Sequence, residues 1–184
     1  CMFYNKERQL RVVVHGDDFT LLGNESDLDW FRGLIQKSFE VTFRGRIGPS
    51  YKDTKSIKLL NRVIEWNNLG ITYEADQRHA DVIIGMLGYT IGESKSLRVP
   101  GEKFVLGENE EPLSSSEATN FRAIVARANY LAQDRSDIMF AVKELTRHMS
   151  KPTLASYTMS KRLGRYLLGA GRVSLSFNYQ EAFK

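Results

Sequence analysis

Cysteine is almost missing from this chain: Cys1 is the one example in 184 residues, so no intrachain disulfide can form and no zinc site can rest on cysteine ligands. That scarcity is compatible with a reducing compartment. Long apolar runs are missing too. Stretches such as Val12–Val14 and Val82–Ile84 fall far short of the roughly 20 residues that a membrane-spanning helix needs, so no membrane span is expected. Proline is scarce, with 4 residues, and glycine numbers 14, while 42% of the chain is hydrophobic and 26% charged. Collagen-like, low-complexity and disordered classes are thereby excluded, and the length suits one domain or two small ones. The opening residues have no basic start followed by an apolar stretch and a small-residue cleavage site. The first residue is Cys1 rather than Met, and we read the chain as a piece of something longer.

The basic excess is small overall, at +4, but it is unevenly placed. From Asn120 to Arg172 there are ten Lys or Arg against three Asp or Glu, whereas the rest of the chain is slightly acidic. A basic third attracts polyanions in a salt-dependent way. A solvated helical surface produces the same count, and both readings stay open.

Patterning divides the chain into a strand-rich beginning and a helical end. Met2–Tyr4 and Leu10–His15 read as strands joined by a polar turn, Asn5 to Gln9. Gly16-Asp17-Asp18 then makes a second tight turn before the apolar run Phe19–Leu22. Ser26 and Asp29 resemble a capping box ahead of a helical stripe of Leu28, Phe31, Leu34, Ile35 and Phe39. Arg44–Lys55 reads as a loop. Ile57–Trp66 and Ile71–Glu74 read as two strands around the turn Asn67-Asn68-Leu69-Gly70. A short helix is expected over Gln77–Leu87, then a linker from Gly88 to Pro112 with one short strand near Leu97–Val99.

Three helices should follow. Ser114 and Glu117 form a capping box, and Phe121, Ile124, Val125, Ala128 and Leu131 recur on one face. A second helix starts near Ser136, buries Ile138, Ala141, Val142, Leu145 and Met149, and stops before Pro152. The third covers Thr153 to Leu168, with Gly169 and Gly171 as its expected cap. Val173, Leu175, Phe177 and Tyr179 alternate with polar residues as a last strand. It has no evident partner and is read as the beginning of a further unit.

Adjacent aspartates on a tight turn repel each other unless the turn faces water, a cationic side chain or a metal ion. Carboxylate oxygens are the donors that magnesium and manganese take, and phosphoryl-transfer enzymes hold two such ions among a few carboxylates. Gly-Asp-Asp is also ordinary turn chemistry, so the pattern alone fits either role.

With its flanking strands, however, Val12-Val13-Val14-His15-Gly16-Asp17-Asp18-Phe19 resembles the motif C hairpin of reverse transcriptases. There a Tyr-x-Asp-Asp tip carries metal-binding aspartate. Within that family the copia-type retrotransposon enzymes are the most similar. Further matches are Phe121-Arg122, Tyr130-Leu131, Arg135-Ser136-Asp137-Ile138, Ala141-Val142, Met149-Ser150-Lys151-Pro152-Thr153 and Lys161-Arg162-Leu163-Gly164-Arg165-Tyr166-Leu167. Their order and spacing cover nearly the whole chain.

The resemblance implies an α+β fold: a partial polymerase palm over residues 1–107, a helical thumb or connection region over 108–172, and the start of an RNase H-like domain over 173–184. It implies a two-metal nucleotidyl transfer by the intact RNA-directed DNA polymerase, with Mg2+ or Mn2+ held at Asp17 and Asp18, a primer-template and deoxynucleotides as partners, and residence in a cytoplasmic particle or the nucleus. Asp17 matches the principal metal ligand and Asp18 its companion. His15 replaces the usual Tyr of the motif, and either adjusts the primer end or packs.

Motif A and the fingers of the family have no counterpart in residues 1–184, so polymerase activity is not expected of this chain alone. A non-catalytic relic, serving as a structural or nucleic-acid-binding subunit, is the alternative. Arg122, Arg127, Lys161, Arg162 and Arg165 are candidate phosphate contacts or a solvated face. Tyr157, Tyr166 and Trp66 are candidate stacking rings or packing residues. Arg135 and Asp137 read as a structural pair at a helix start, and His79 and His148 have no partner at metal-ligand spacing.

Overall fold

The computed structural model describes residues 1–90, 92–102 and 110–180. The fold is mixed α+β, with two antiparallel sheets and, among the described residues, five α-helices. The chain packs as two compact units that divide between Arg44 and Gly45. The expected boundary at residues 107 and 108 and the last four residues of the chain lie outside the described residues.

In the first unit, β1 (Met2–Asn5), β2 (Leu10–His15) and β3 (Asp18–Leu22) form a meander in the order β1-β2-β3. The β1–β2 turn is fixed by its own side chains. Asn5 Oδ1 accepts from the Arg8 amide, Tyr4 donates to Gln9 Oε1, and Gln9 itself takes a positive φ of 51°. Period-two alternation puts the buried Leu10 and Val12 on one face of β2 and Arg11, Val13 and His15 on the other. Helix α1 (Glu25–Ile35) follows. Asn24, not Ser26, occupies its cap position and makes no side-chain cap bond. Ser26 already lies inside the first turn, so it cannot cap. The stripe of α1 contributes no buried residue, and Phe39 lies beyond the helix, exposed.

The second unit holds a sheet in the order β4-β5-β6-β7: β4 (Ser56–Leu59), β5 (Arg62–Asn67), β6 (Gly70–Glu74) and β7 (Ser174–Asn178). Two expectations are corrected here. Ile57–Trp66 is not one strand but a hairpin, because Leu60 and Asn61 adopt φ of 48° and 64°. Positive φ at both central residues is the signature of a type I′ turn. Asn tolerates that region, but a leucine there is costly and conceals the turn.

The last strand does have a partner: β7 pairs antiparallel with β6, Ile71 opposite Phe177 and Tyr73 opposite Leu175. Gly70 is the residue that permits this pairing. A Cβ at Gly70 would overlap the Phe177 carbonyl oxygen and lie 2.8 Å from the Asn178 Cα, and its φ of 154° also favours glycine.

Four helices build the core of this unit: α2 (Arg78–Met86), α3 (Ser115–Leu131), α4 (Met139–Thr146) and α5 (Leu154–Gly169). The Ser114–Glu117 capping box forms as expected, and α5 starts with an equivalent box between Thr153 and Ser156. Phe121, Ile124, Val125 and Ala128 are fully buried against Ile83, Ile138, Val142, Leu163 and Leu167. Each large side chain removed from water in this way contributes about 1.5–3 kcal/mol.

A single 3-10 turn, Ser136–Ile138, precedes α4. The starts of α3 and α5 are tied by Leu113 donating to Pro152 and Leu154 donating to Glu111. Leu97–Val99 is not a strand; instead the Leu97 amide donates to the Arg165 carbonyl on α5. Nor do the glycines cap α5. The helix runs through Gly169 and ends on Ala170 with a negative φ. Gly169 serves a close approach instead, since a Cβ there would lie 2.9 Å from Ser96 Cβ.

Candidate functional site

The tip of the β2–β3 hairpin is a two-residue turn, Gly16-Asp17, closed by the His15–Asp18 pair. Gly16 has φ of 62° with open space where a Cβ would be, so backbone conformation rather than crowding demands glycine. Glycine with positive φ at the first central position is the mark of a type II′ turn, whose twist matches that of the flanking strands. Asp17 therefore emerges at the outermost point of the hairpin, with Asp18 next to it as the first residue of β3. Asp17 is exposed and Asp18 half-buried, and Asp18 faces the guanidinium of Arg44 at 3.4 Å. His15 is exposed beside them.

As a donor set, the tip suits a hard divalent cation: two carboxylates, oxygen only, one of them unobstructed. It supplies two side-chain ligands where magnesium takes about six. No group of three or more His, Cys, Asp or Glu side chains able to hold a metal comes together among the described residues. Asp17 and Asp18 could hold a cation only in combination with water, substrate oxygens or a carboxylate from elsewhere.

The candidate phosphate contacts are distributed over α3 and α5, and most are engaged locally. Arg122 donates through Nε to the Met149 carbonyl at 2.8 Å, closing the end of the α4 segment. Arg165 donates to the Lys95 carbonyl at 2.8 Å and Arg162 pairs with Glu102. Lys161 lies 5.0 Å from the Tyr157 ring centre. Arg127 is exposed on α3. Among the candidate rings, Tyr166 donates to Asp137 at 2.8 Å, and Trp66 carries the Lys55 ammonium 4.5 Å from its ring centre.

Arg135 and Asp137 are structural, as their position at a helix start implies. Arg135 is fully buried, forks onto Asp137 at 2.8 and 2.7 Å, and donates to the Ala170 and Gly171 carbonyls. Burial pushes the Asp137 carboxyl up, but its hydrogen bonds from Arg135 and then Tyr166 outweigh that and hold it below the ordinary carboxylate value.

Two clusters escaped sequence reasoning. Asp134 accepts from Arg62 at 2.7 Å and from Tyr73 at 2.8 Å, which joins the sheet to the end of α3. At the start of α2, the buried Asp76 accepts the guanidinium fork of the exposed Arg78, while His79 meets Tyr130 in a tilted ring pair with centres 4.6 Å apart. The available signal was Asp76-x-Arg78-His79 at a strand-to-helix joint, where an aspartate side chain accepts from the backbone amide two residues on.

No helix among the described residues is long and apolar enough to cross a membrane. No protein-family model matches the chain, and no solved structure matches it. Among curated proteins, the chain is 40% identical over 159 residues to an uncharacterized mitochondrial protein of Arabidopsis thaliana, AtMg00810. The match covers 86% of this chain and 61% of that protein, so the chain spans less than two thirds of its relative's length.

Proposed function

We propose that this chain is the downstream part of a copia-type retroelement reverse transcriptase, and that the enzyme containing it copies RNA into DNA. One observation carries the reading: a type II′-like turn at Gly16-Asp17 presents two adjacent carboxylates at the tip of an antiparallel hairpin. The helix, β-meander and helical bundle that follow are in the order the resemblance implies. On this reading residues 1–107 belong to the palm and 108–172 to a thumb or connection region. Residues 173–184 lead toward an RNase H-like domain, although their strand also completes the β4–β7 sheet. The retroelement reading carries with it a cytoplasmic particle or the nucleus as the place of action.

In the intact enzyme a primer 3′-hydroxyl attacks the α-phosphate of a deoxynucleotide and pyrophosphate leaves. Magnesium, when bound, supplies the positive charge that steadies the attacking and leaving oxygens. The chain's own contribution is to hold the oxygens of Asp17 in the open at a turn whose positive φ the glycine permits. Asp18 is steadied by Arg44, and the exposed His15, in place of the motif's Tyr, would adjust the primer end. By the resemblance, a further carboxylate comes from motif A, which has no counterpart in the sequence of residues 1–184.

The test is primer extension by the complete protein that contains this chain. Asp17→Ala should lower turnover by about a hundred- to a thousandfold or more, the scale on which removing a charge-stabilising group acts. Turnover unchanged by that substitution would overturn the site assignment. The second reading, a non-catalytic relic, is favoured by the tip having only two carboxylates among the described residues. It predicts that the complete natural protein extends no primer, with or without Asp17.

A further inference from the structure

Asp76 is 5% exposed, yet its carboxylate serves an arginine whose side chain is 67% exposed. Its Oδ1 accepts from the Arg78 amide at 3.2 Å and from Arg78 Nε at 3.0 Å, and its Oδ2 accepts from Arg78 Nη2 at 2.6 Å. The turn that leads into α2 requires only the first of these bonds, from the Arg78 amide two residues on. The other two immobilise a surface guanidinium, which otherwise keeps about 2 kcal/mol of rotamer entropy, and they leave Nη1 outside the fork.

Against the neighbouring His79 lies Tyr130, 42% exposed, the two rings tilted at 44° with centres 4.6 Å apart, and the Arg62 guanidinium is 5.7 Å from the Tyr130 ring centre. With Nε and Nη2 held by Asp76, the Nη1 edge of Arg78 is a directed donor for a phosphate oxygen, its ordering cost met before the ligand arrives.

We infer that Arg78 and Tyr130 form a contact for the phosphate backbone of a nucleic acid, with Asp76 and His79 as the positioning residues. The inference rests on the reading of this chain as part of a nucleic-acid polymerase for the identity of the ligand, and on the Asp76 fork for its place. Tyr130 also belongs to the basic third of the sequence, Asn120 to Arg172, where the surrounding potential favours a polyanion.

The experiment uses the 184-residue chain and a fluorescein-labelled RNA–DNA duplex of about one and a half turns, followed by anisotropy between 50 and 200 mM KCl. Arg78→Ala should weaken binding about five- to twentyfold and reduce the salt slope by about one, as loss of one phosphate contact requires. Arg78→Lys keeps the charge but not the fork, and should recover less than half of the loss in log affinity. Tyr130→Phe should weaken binding about two- to fivefold, with an unchanged melting temperature. Arg147→Ala is the control, because Arg147 is equally exposed and also faces a buried carboxylate, Glu144. It should change affinity less than twofold.

The inference is overturned if the chain does not bind the duplex at 50 mM KCl, if Arg78→Ala acts no more strongly than Arg147→Ala, or if Arg78→Lys binds like the parent chain. Displacement of the duplex by polyglutamate of equal charge and concentration would also overturn it, in favour of an acidic protein partner. Asp17→Ala separates the two readings, because it should leave duplex binding and its dependence on Arg78 intact. Loss of the Arg78 effect alongside Asp17-dependent extension by the complete protein removes this inference alone. The reverse result removes the polymerase reading and keeps the contact.

Discussion

The Arg44 guanidinium stands 3.4 Å from the Asp18 carboxylate, at the tip where Asp17 is open to solvent. A cation arriving at the two aspartates meets this positive charge already in place. Arg44 and a divalent ion therefore compete. Arg44→Ala should tighten Mn2+ binding by about two- to fivefold at low ionic strength, the scale of one exposed ion pair. The advantage should fade as salt rises and screens the arginine. Titration of free Mn2+ by electron paramagnetic resonance checks this, with Asp17→Asn as the variant expected to lose binding. Equal affinity for the parent and Arg44→Ala chains would show that the arginine does not guard the tip.

Gly70 allows β7 to lie against β6, and this predicts a local rather than global defect. Gly70→Ala places a methyl group on the Phe177 carbonyl and forces alanine into a φ of 154°. Strain of that kind costs about 1–3 kcal/mol even without a clash. β7 should detach while the helical core, which it does not enter, survives. Hydrogen exchange should show protection lost at Ser174–Asn178 and retained in α3. Loss of protection in both would mean that the sheet and the bundle unfold as one.

How much of this was legible beforehand follows from the range of the interactions involved. The Ser114–Glu117 box and the stripe from Phe121 to Leu131 are local, and both were readable because capping and periodicity lie within a few residues. The Gly16-Asp17 tip was readable for the same reason. The β6–β7 pairing was not, because Gly70 and Asn178 stand at distant points of the sequence and only the fold brings them together. The turn at Leu60-Asn61 was hidden by a leucine in a conformation that leucine avoids. The basic residues of α3 and α5 illustrate a different gap: counting shows charge, whereas the engagement of Arg122 with Met149 and of Arg165 with Lys95 depends on packing.

Tyr73 links the sheet to α3 and should mark the alkaline limit of that joint. Its burial, reinforced by the hydrogen bond to Asp134, pushes the phenol up to about 12 from an ordinary value of 10.0. A raised phenol favours the folded chain fully below pH 10, and that contribution is lost as pH rises from the unfolded value through the folded one. Stability should therefore decline between about pH 10 and 12. Tyr73→Phe should remove this part of the decline. Urea unfolding at stepped pH measures it, and an unchanged alkaline slope in Tyr73→Phe would assign the loss to other groups.

Arg135 presents the sharpest energetic test, because its four hydrogen bonds join the start of α4 to the end of α5. Arg135→Ala leaves the Ala170 and Gly171 carbonyls and the half-buried Asp137 without their donor. Breaking a buried pair from one side costs about 3–5 kcal/mol, and we expect a loss near the lower figure because Asp137 retains its bond from Tyr166. The same geometry sets an acid limit. Asp137 is depressed in the folded chain, so its contribution is present above the ordinary carboxylate value and lost as pH falls through the folded one. In Arg135→Met, which fills the space without the charge, that acid-dependent part should shrink together with the stability. Urea midpoints at neutral pH and below pH 4 measure both effects. A variant that lost stability at neutral pH but kept the parent's full acid slope would show that Arg135 acts through the α5 carbonyls and not through Asp137.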